Sequence, residues 1–161
     1  MRCTGARLTA SLALTALWVA GAPAASADNT RLNNGVAASV YTVRYQAGCA
    51  SPDIRMIPPL GLAAQRYARD LVSHPELDGQ IGSDGSTPQS RSAAAGYPGP
   101  VSQTVAINAS LAINTLDAIT QWYHDPAAWA IMSDCANTAI GVWSENSLDR
   151  SVVVAVYGRP A

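Results

Sequence analysis

The sequence predicts an α+β fold, an α/β/α sandwich in which helices cover a mainly antiparallel sheet. Three observations carry this. Apolar residues recur at helical spacing over 31–45, 60–71 and 111–123. Period-two alternation at 101–107 and apolar runs at 138–143 and 151–157 mark strands. A short turn joins the last two strands, and helices that precede and separate such strands imply an antiparallel sheet between helix layers.

Leu32, Val36, Val40 and Val43 share a stripe, so residues 31–45 read as an amphipathic helix. Gly48, Pro52, Pro58 and Pro59 then make an irregular connector that carries Cys49. A second helix begins near Leu60, with Leu60, Ala64, Tyr67, Ala68 and Leu71 inward and Arg66, Arg69, Asp70 and Ser73 outward. Residues 74–86 form a loop with a turn at Asp84-Gly85, where glycine accepts positive φ. Ser86 stands three residues before Gln89, the spacing of a capping box, and Pro88 suits a first helical turn. A short helix is expected over 87–95.

Val101, Gln103, Val105 and Ile107 alternate with Ser102, Thr104 and Ala106, which puts Gln103 on the face of the three apolar residues. Asn108-Ala109-Ser110 matches a glycosylation sequon, but its simpler reading is a strand end and a helix cap. Ser110 then caps a helix from Leu111 to Tyr123, with Ala112, Leu116, Ile119 and Tyr123 inward. Residues 126–133 add one or two helical turns. Strands at Thr138–Trp143 and Ser151–Tyr157 flank a turn at 145–149. Val152 to Val156 is apolar throughout, as expected of a central strand covered on both faces. Trp122, Tyr123, Trp129 and Trp143 read as packing residues.

Residues 1–27 read as an export signal: Arg2 and Arg7, an apolar run from Leu8 to Ala20, and a small-residue cleavage site at Ala25-Ser26-Ala27. Retention as an anchor is the alternative. Residues 28–161 suffice for one domain with a core of its own and show no repeat or low-complexity tract. Eight arginines against eleven acids leave that domain a charge of −3, with no basic patch, which argues against nucleic acid as a partner. Every Lys/Arg position is Arg, a usage that suggests codon bias in a GC-rich bacterium. Cys49 and Cys135 remain after signal removal. In an exported chain they are expected to pair, two buried thiols being the alternative.

Several segments in this order resemble the CAP superfamily (cysteine-rich secretory proteins, antigen 5 and pathogenesis-related 1), in particular its bacterial secreted members. They are Asp53 to Leu62 with its paired prolines, Ala63 to Leu71, Gly82 to Pro88, Arg91 to Tyr97, Gln121-Trp122-Tyr123 and Ile140-Gly141-Val142. The resemblance covers nearly all of residues 31–159 and implies the same sandwich. It also implies a cavity with a His four residues before the Asp-Gly-Ser turn, a Glu on the first strand and a second His after the Asp-Pro step. Here those positions hold Gln80, Gln103 and Ala128, and a further His position is Tyr67. Glutamine does not titrate and is a poor zinc ligand, and alanine has no polar side-chain atom.

The expected site is therefore a remnant cavity of Gln80, Gln103, Ala128, Trp129 and Tyr67, with no catalytic residue, no metal ligand and no cofactor. This implies a secreted, non-catalytic binding domain at the cell envelope or outside the cell. Its partner is a lipid or other small ligand, or a protein, and a monomer is expected. The alternative is a hydrolase or metal-dependent protein in which His74 and His124, with Glu76 or Asp78, replace the missing groups. The simpler reading of both histidines is solvent-facing helix ends.

Overall fold

A computed structural model describes residues 29–109 and 112–161; residues 1–28, which include the expected export signal, and Ser110 and Leu111 lie outside the described residues. The chain runs α1 (Thr30–Gln46), β1 (Arg55–Met56), α2 (Pro58–Ser73), α3 (Pro88–Ala94), β2 (Val101–Asn108), α4 (Thr115–His124), α5 (Pro126–Met132), β3 (Ala139–Asn146) and β4 (Ser151–Gly158). The sheet order is β1-β3-β4-β2. β4 pairs antiparallel with both long neighbours, and β1 pairs parallel with β3. An α+β sandwich on a mostly antiparallel sheet is the observed architecture. Among the described residues no helix is long and apolar enough to cross a membrane.

The alternation of β4 organises two cores. Val153, Ala155 and Tyr157 pack with Val36 and Val40 of α1, Trp122 of α4 and Met132 of α5. Val152, Val154 and Val156 pack with Leu60, Ala64, Tyr67 and Leu71 of α2. Every residue of β4 is buried, as its unbroken apolar run requires. α1, α4 and α5 thus form one helical layer, and α2 with the neighbouring α3 forms the other.

Gly141 lets α2 approach that closely. A Cβ there would lie 2.0 Å from the Leu60 carbonyl carbon and 2.1 Å from the Gly61 nitrogen, both main-chain atoms that cannot swing aside. Gly141→Ala is expected to destabilise the fold by about 3 kcal/mol, the upper part of the overpacking range. Urea unfolding measures it, and a loss under roughly 0.5 kcal/mol, the size of an ordinary surface substitution, would mean that α2 shifts without cost.

Three local expectations need correction. The cap of α3 is Thr87, not Ser86: Thr87 Oγ1 accepts from Ser90 N at 3.1 Å, and Ser90 Oγ accepts from Thr87 N at 2.9 Å. Gln89, released from capping, accepts from Val101 N and donates to Gly99 O. The next helix starts at Thr115 and not at Leu111, because Asn114 and Asp117 form a reciprocal capping box. Its inward face is Ala118 and Trp122, while Leu116 and Tyr123 are 72% and 56% exposed and Ala112 is exposed as well. Ile119 packs partly against the core as expected. The Trp122 indole is the larger apolar group, and its burial turns Tyr123 outward. Finally, β3 runs on through Asn146, so the turn is tighter than expected, with Ser147 N donating to Arg150 O at 2.7 Å.

Cys49 and Cys135 form a disulfide. Beside it Arg44, on the last turn of α1, is buried and donates to the carbonyl oxygens of Pro52, Asp134 and Ser51. Burial lowers the Arg44 pKa while nearby Asp134 works the other way. Arg44 stands four residues after Val40, in line with the apolar stripe, and only its charge argued against a core position.

Candidate binding site around Arg91

The loop between α2 and α3 lacks regular structure yet is pinned along its length by side chains of its neighbours. Tyr67, fully buried on α2, donates its hydroxyl to Gly79 O. Arg150 donates to Leu77 O at 2.7 Å. Asp70 accepts from Ser83 N at 2.8 Å and Ser83 Oγ at 2.6 Å. Within the turn Gly85 adopts φ +77°, as Asp84-Gly85 predicts, and Asp84 accepts from Ser86 N. These bonds satisfy main-chain groups that a strand or helix would otherwise satisfy.

Arg91 is the hub. It is only 6% exposed, and its Cζ lies 3.9 Å from the Tyr67 ring centroid. One terminal nitrogen donates to Ser86 O at 2.7 Å and Ser86 Oγ at 3.1 Å. The other donates to Gln80 O at 3.0 Å and Gln103 Oε1 at 3.1 Å. Gln103, 3% exposed, donates in turn from Nε2 to Gln80 Oε1 at 3.1 Å. Burial lowers the Arg91 pKa and raises that of Tyr67, whose phenol is held back by the Arg91 charge. Arg91 Nε is buried without a hydrogen-bond partner.

The residues singled out from sequence thus divide between two places. Gln80, Gln103 and Tyr67 meet around Arg91. Gln103 sits opposite Val156, on the α2 side of the sheet. Ala128 and Trp129 belong to the other layer, where Ala128 packs with Ala106 and Tyr157. Tyr123 stacks edge-on against Trp129 there, with ring centroids 4.9 Å apart. His74 caps α2 in one layer and His124 ends α4 in the other, so a site that uses both histidines is not possible in this fold. Sequence reasoning missed the centre itself: Arg91 was legible as a motif residue, and the lack of an apolar partner at its helix position gave no sign of its burial.

Outside Arg91 lies a cleft of about 600 Å³, lined by the outer face of α2, the 83–86 turn and α3. In it His74 Nδ1 lies 2.9 Å from Asp70 Oδ1. Ser83, Asp70 and His74 are therefore linked with the carboxylate in the middle. A serine nucleophile needs the imidazole itself as its proton acceptor, and this order does not provide it. Burial pushes the Asp70 pKa up, but both Ser83 hydrogen bonds and His74 outweigh it and hold the carboxyl below its ordinary value.

In the unfolded chain Asp70 titrates in the ordinary carboxylate range. Its contribution to stability is thus fully present above that range and is lost as pH falls through the depressed folded value. Asp70→Asn is expected to lower stability at neutral pH and to flatten the acid limb of the pH–stability curve. Parallel acid limbs for the two proteins would exclude a role for this carboxylate.

A family model described as the cysteine-rich secretory protein family matches residues 35–157. Among curated proteins none matches the sequence significantly. Solved structures do. An outer surface protein from Borrelia burgdorferi superposes with a TM-score of 0.73 at 14% identity, over 84% of this chain and 98% of that one. An extracellular SCP-domain protein from Bacillus anthracis gives 0.67 at 11% identity, over 87% of this chain and 45% of that one. A structure of NaASP2 with Zn2+ gives 0.58 at 11% identity, over 86% and 84%. At such identities the likeness extends to fold and not to chemistry. With the family model covering most of the domain and the sandwich recurring in these structures, the chain belongs to the cysteine-rich secretory protein (CAP) family.

Proposed function

We propose that this protein is an exported, non-catalytic binding domain of the cell envelope or extracellular space. The observation that carries this is the Gln80–Gln103–Arg91 cluster. Two amides stand where the resemblance implies a His and a Glu, groups that would move protons near neutral pH or ligate zinc, and Arg91 holds both amides in place. The same donors do not fit a zinc ion, and no group of three or more His, Cys, Asp or Glu side chains among the described residues could hold one. Residues 1–27 and the Cys49–Cys135 bond support export, as do the surface and extracellular settings of the Borrelia and Bacillus proteins.

Two measurements test this. The protein, assayed against chromogenic esters, peptides, glycosides and phosphodiesters, is expected to give the background rate, unchanged by His74→Ala. Calorimetric titration of zinc into chelator-treated protein is expected to show no stoichiometric binding. Turnover that His74→Ala abolishes, or one-to-one zinc binding at submicromolar affinity, would replace a binding role with a catalytic or metal-dependent one.

A further inference from the structure

We propose that the cleft between α2 and α3 binds a phosphate-bearing anion. The proposal rests on the reading of the domain as a binder and names the ligand chemistry. Residues 28–161 carry eight arginines and a net charge of −3, yet three of those arginines, Arg66, Arg69 and Arg91, line this one cleft. They come from two elements: Arg66 and Arg69 are one helical turn apart on the outer face of α2, and Arg91 comes from α3.

Arg91 is the informative member. A guanidinium this buried is normally offset by a carboxylate, because an uncompensated charge in the interior is costly. All four of its acceptors are neutral and its Nε has none, so only the Asp84 and Asp70 charges, neither of them hydrogen-bonded to it, offset it. Arg66 has no ion pair among the described residues, and Arg69 has a 3.5 Å contact with Glu145 and lies over the Trp143 ring, 5.9 Å from its centroid. Ser86 brings a hydroxyl group to the same wall, whereas that of Ser90 is held in the α3 cap.

The acids present are already occupied. Asp70 is bound by Ser83 and His74, and Asp84 accepts from Ser86 N. The Arg66 and Arg69 forks and the Ser86 hydroxyl offer more donors than a carboxylate's two oxygens can use, whereas a phosphate presents three or four acceptors; Arg91, whose four terminal N–H groups are already taken, adds its charge behind them. The cleft is far larger than a bare phosphate, so free phosphate and a phospholipid headgroup both fit.

The test titrates the protein with inorganic phosphate at constant ionic strength, so that general screening is held fixed, and follows the amide resonances of residues 83–91 by NMR. In parallel the protein is sedimented with phosphatidylglycerol–phosphatidylcholine vesicles and with phosphatidylcholine vesicles alone. Arg66→Gln/Arg69→Gln serves as the variant, since both side chains lie on the outer helix face and the fold does not depend on them. Saturable shifts that weaken roughly tenfold or more in the variant support the site, since a charge-assisted arginine contact is a strong one. Vesicle binding that needs phosphatidylglycerol and is lost in the variant supports it too and identifies a lipid headgroup as the source. Saturation by phosphate without vesicle binding supports it with free phosphate as the source. Shifts that do not saturate, or that are equal in the variant, together with no vesicle binding, overturn it. A protein that binds no phosphate but also hydrolyses nothing would leave the non-catalytic reading intact.

Discussion

Reduction of the Cys49–Cys135 bond is expected to cost about 4–5 kcal/mol of stability, the chain-entropy value for a loop of this size. The two residues are 86 apart in sequence, so the bond closes most of the domain into one ring. It joins the connector after α1 to the segment before β3, the strand on which both β1 and β4 pair. Arg44 already holds the two strands of the connection together through Pro52, Ser51 and Asp134 carbonyls. The ordered geometry should therefore survive reduction, while the unfolded chain gains its freedom. Chemical unfolding with and without reductant, and of Cys49→Ser/Cys135→Ser, measures the difference. A loss below about 1 kcal/mol would show that the unfolded chain stays compact without the bond.

Arg91→Ala is expected to cost about 3 kcal/mol, because each buried neutral acceptor left without a donor costs about 1–3 kcal/mol while loss of the buried charge offsets part of the sum. The substitution leaves Gln103 Oε1 and Gln80 O without their donor, leaves Ser86 O with Gly82 N alone, and uncovers the Tyr67 ring. Arg91→Lys keeps the charge but not the planar fork that reaches two directions at once, so it should recover less than half of the loss. Thermal unfolding of the three proteins decides. Full stability in the lysine variant would show that charge alone, and not the fork, holds the loop. In either variant the 74–87 loop should lose protection from hydrogen exchange before the sheet does, because its Arg91 anchors at Gln80 O and Ser86 O are lost or weakened.

The layers of the fold were legible because burial leaves a period in the sequence. Val36 and Val40, Leu60 to Leu71, and Val152 to Val156 all sit where their spacing puts them. Gln103 was legible for the same reason: it keeps phase with Val101, Val105 and Ile107, and its partner Gln80 followed from the family resemblance. The phase of α4 was not legible. Leu116 and Tyr123 satisfy helical spacing as well as Ala118 and Trp122 do, and only the competition for one core decides which pair goes in. β1 was missed because two residues carry no period; its pairing is set by β3.

The chain by itself thus determined its sandwich class, its central strand and its cysteine pair. Each of these depends on residue type and spacing along one stretch of chain. Tertiary structure alone decided that Arg44 and Arg91 are buried, that Ala128 lies across the sheet from Gln103, and that His74 and His124 never meet. Polar burial has no sequence period. An arginine enters the core where acceptors from distant segments converge on its donors, and that convergence exists only once the layers have packed.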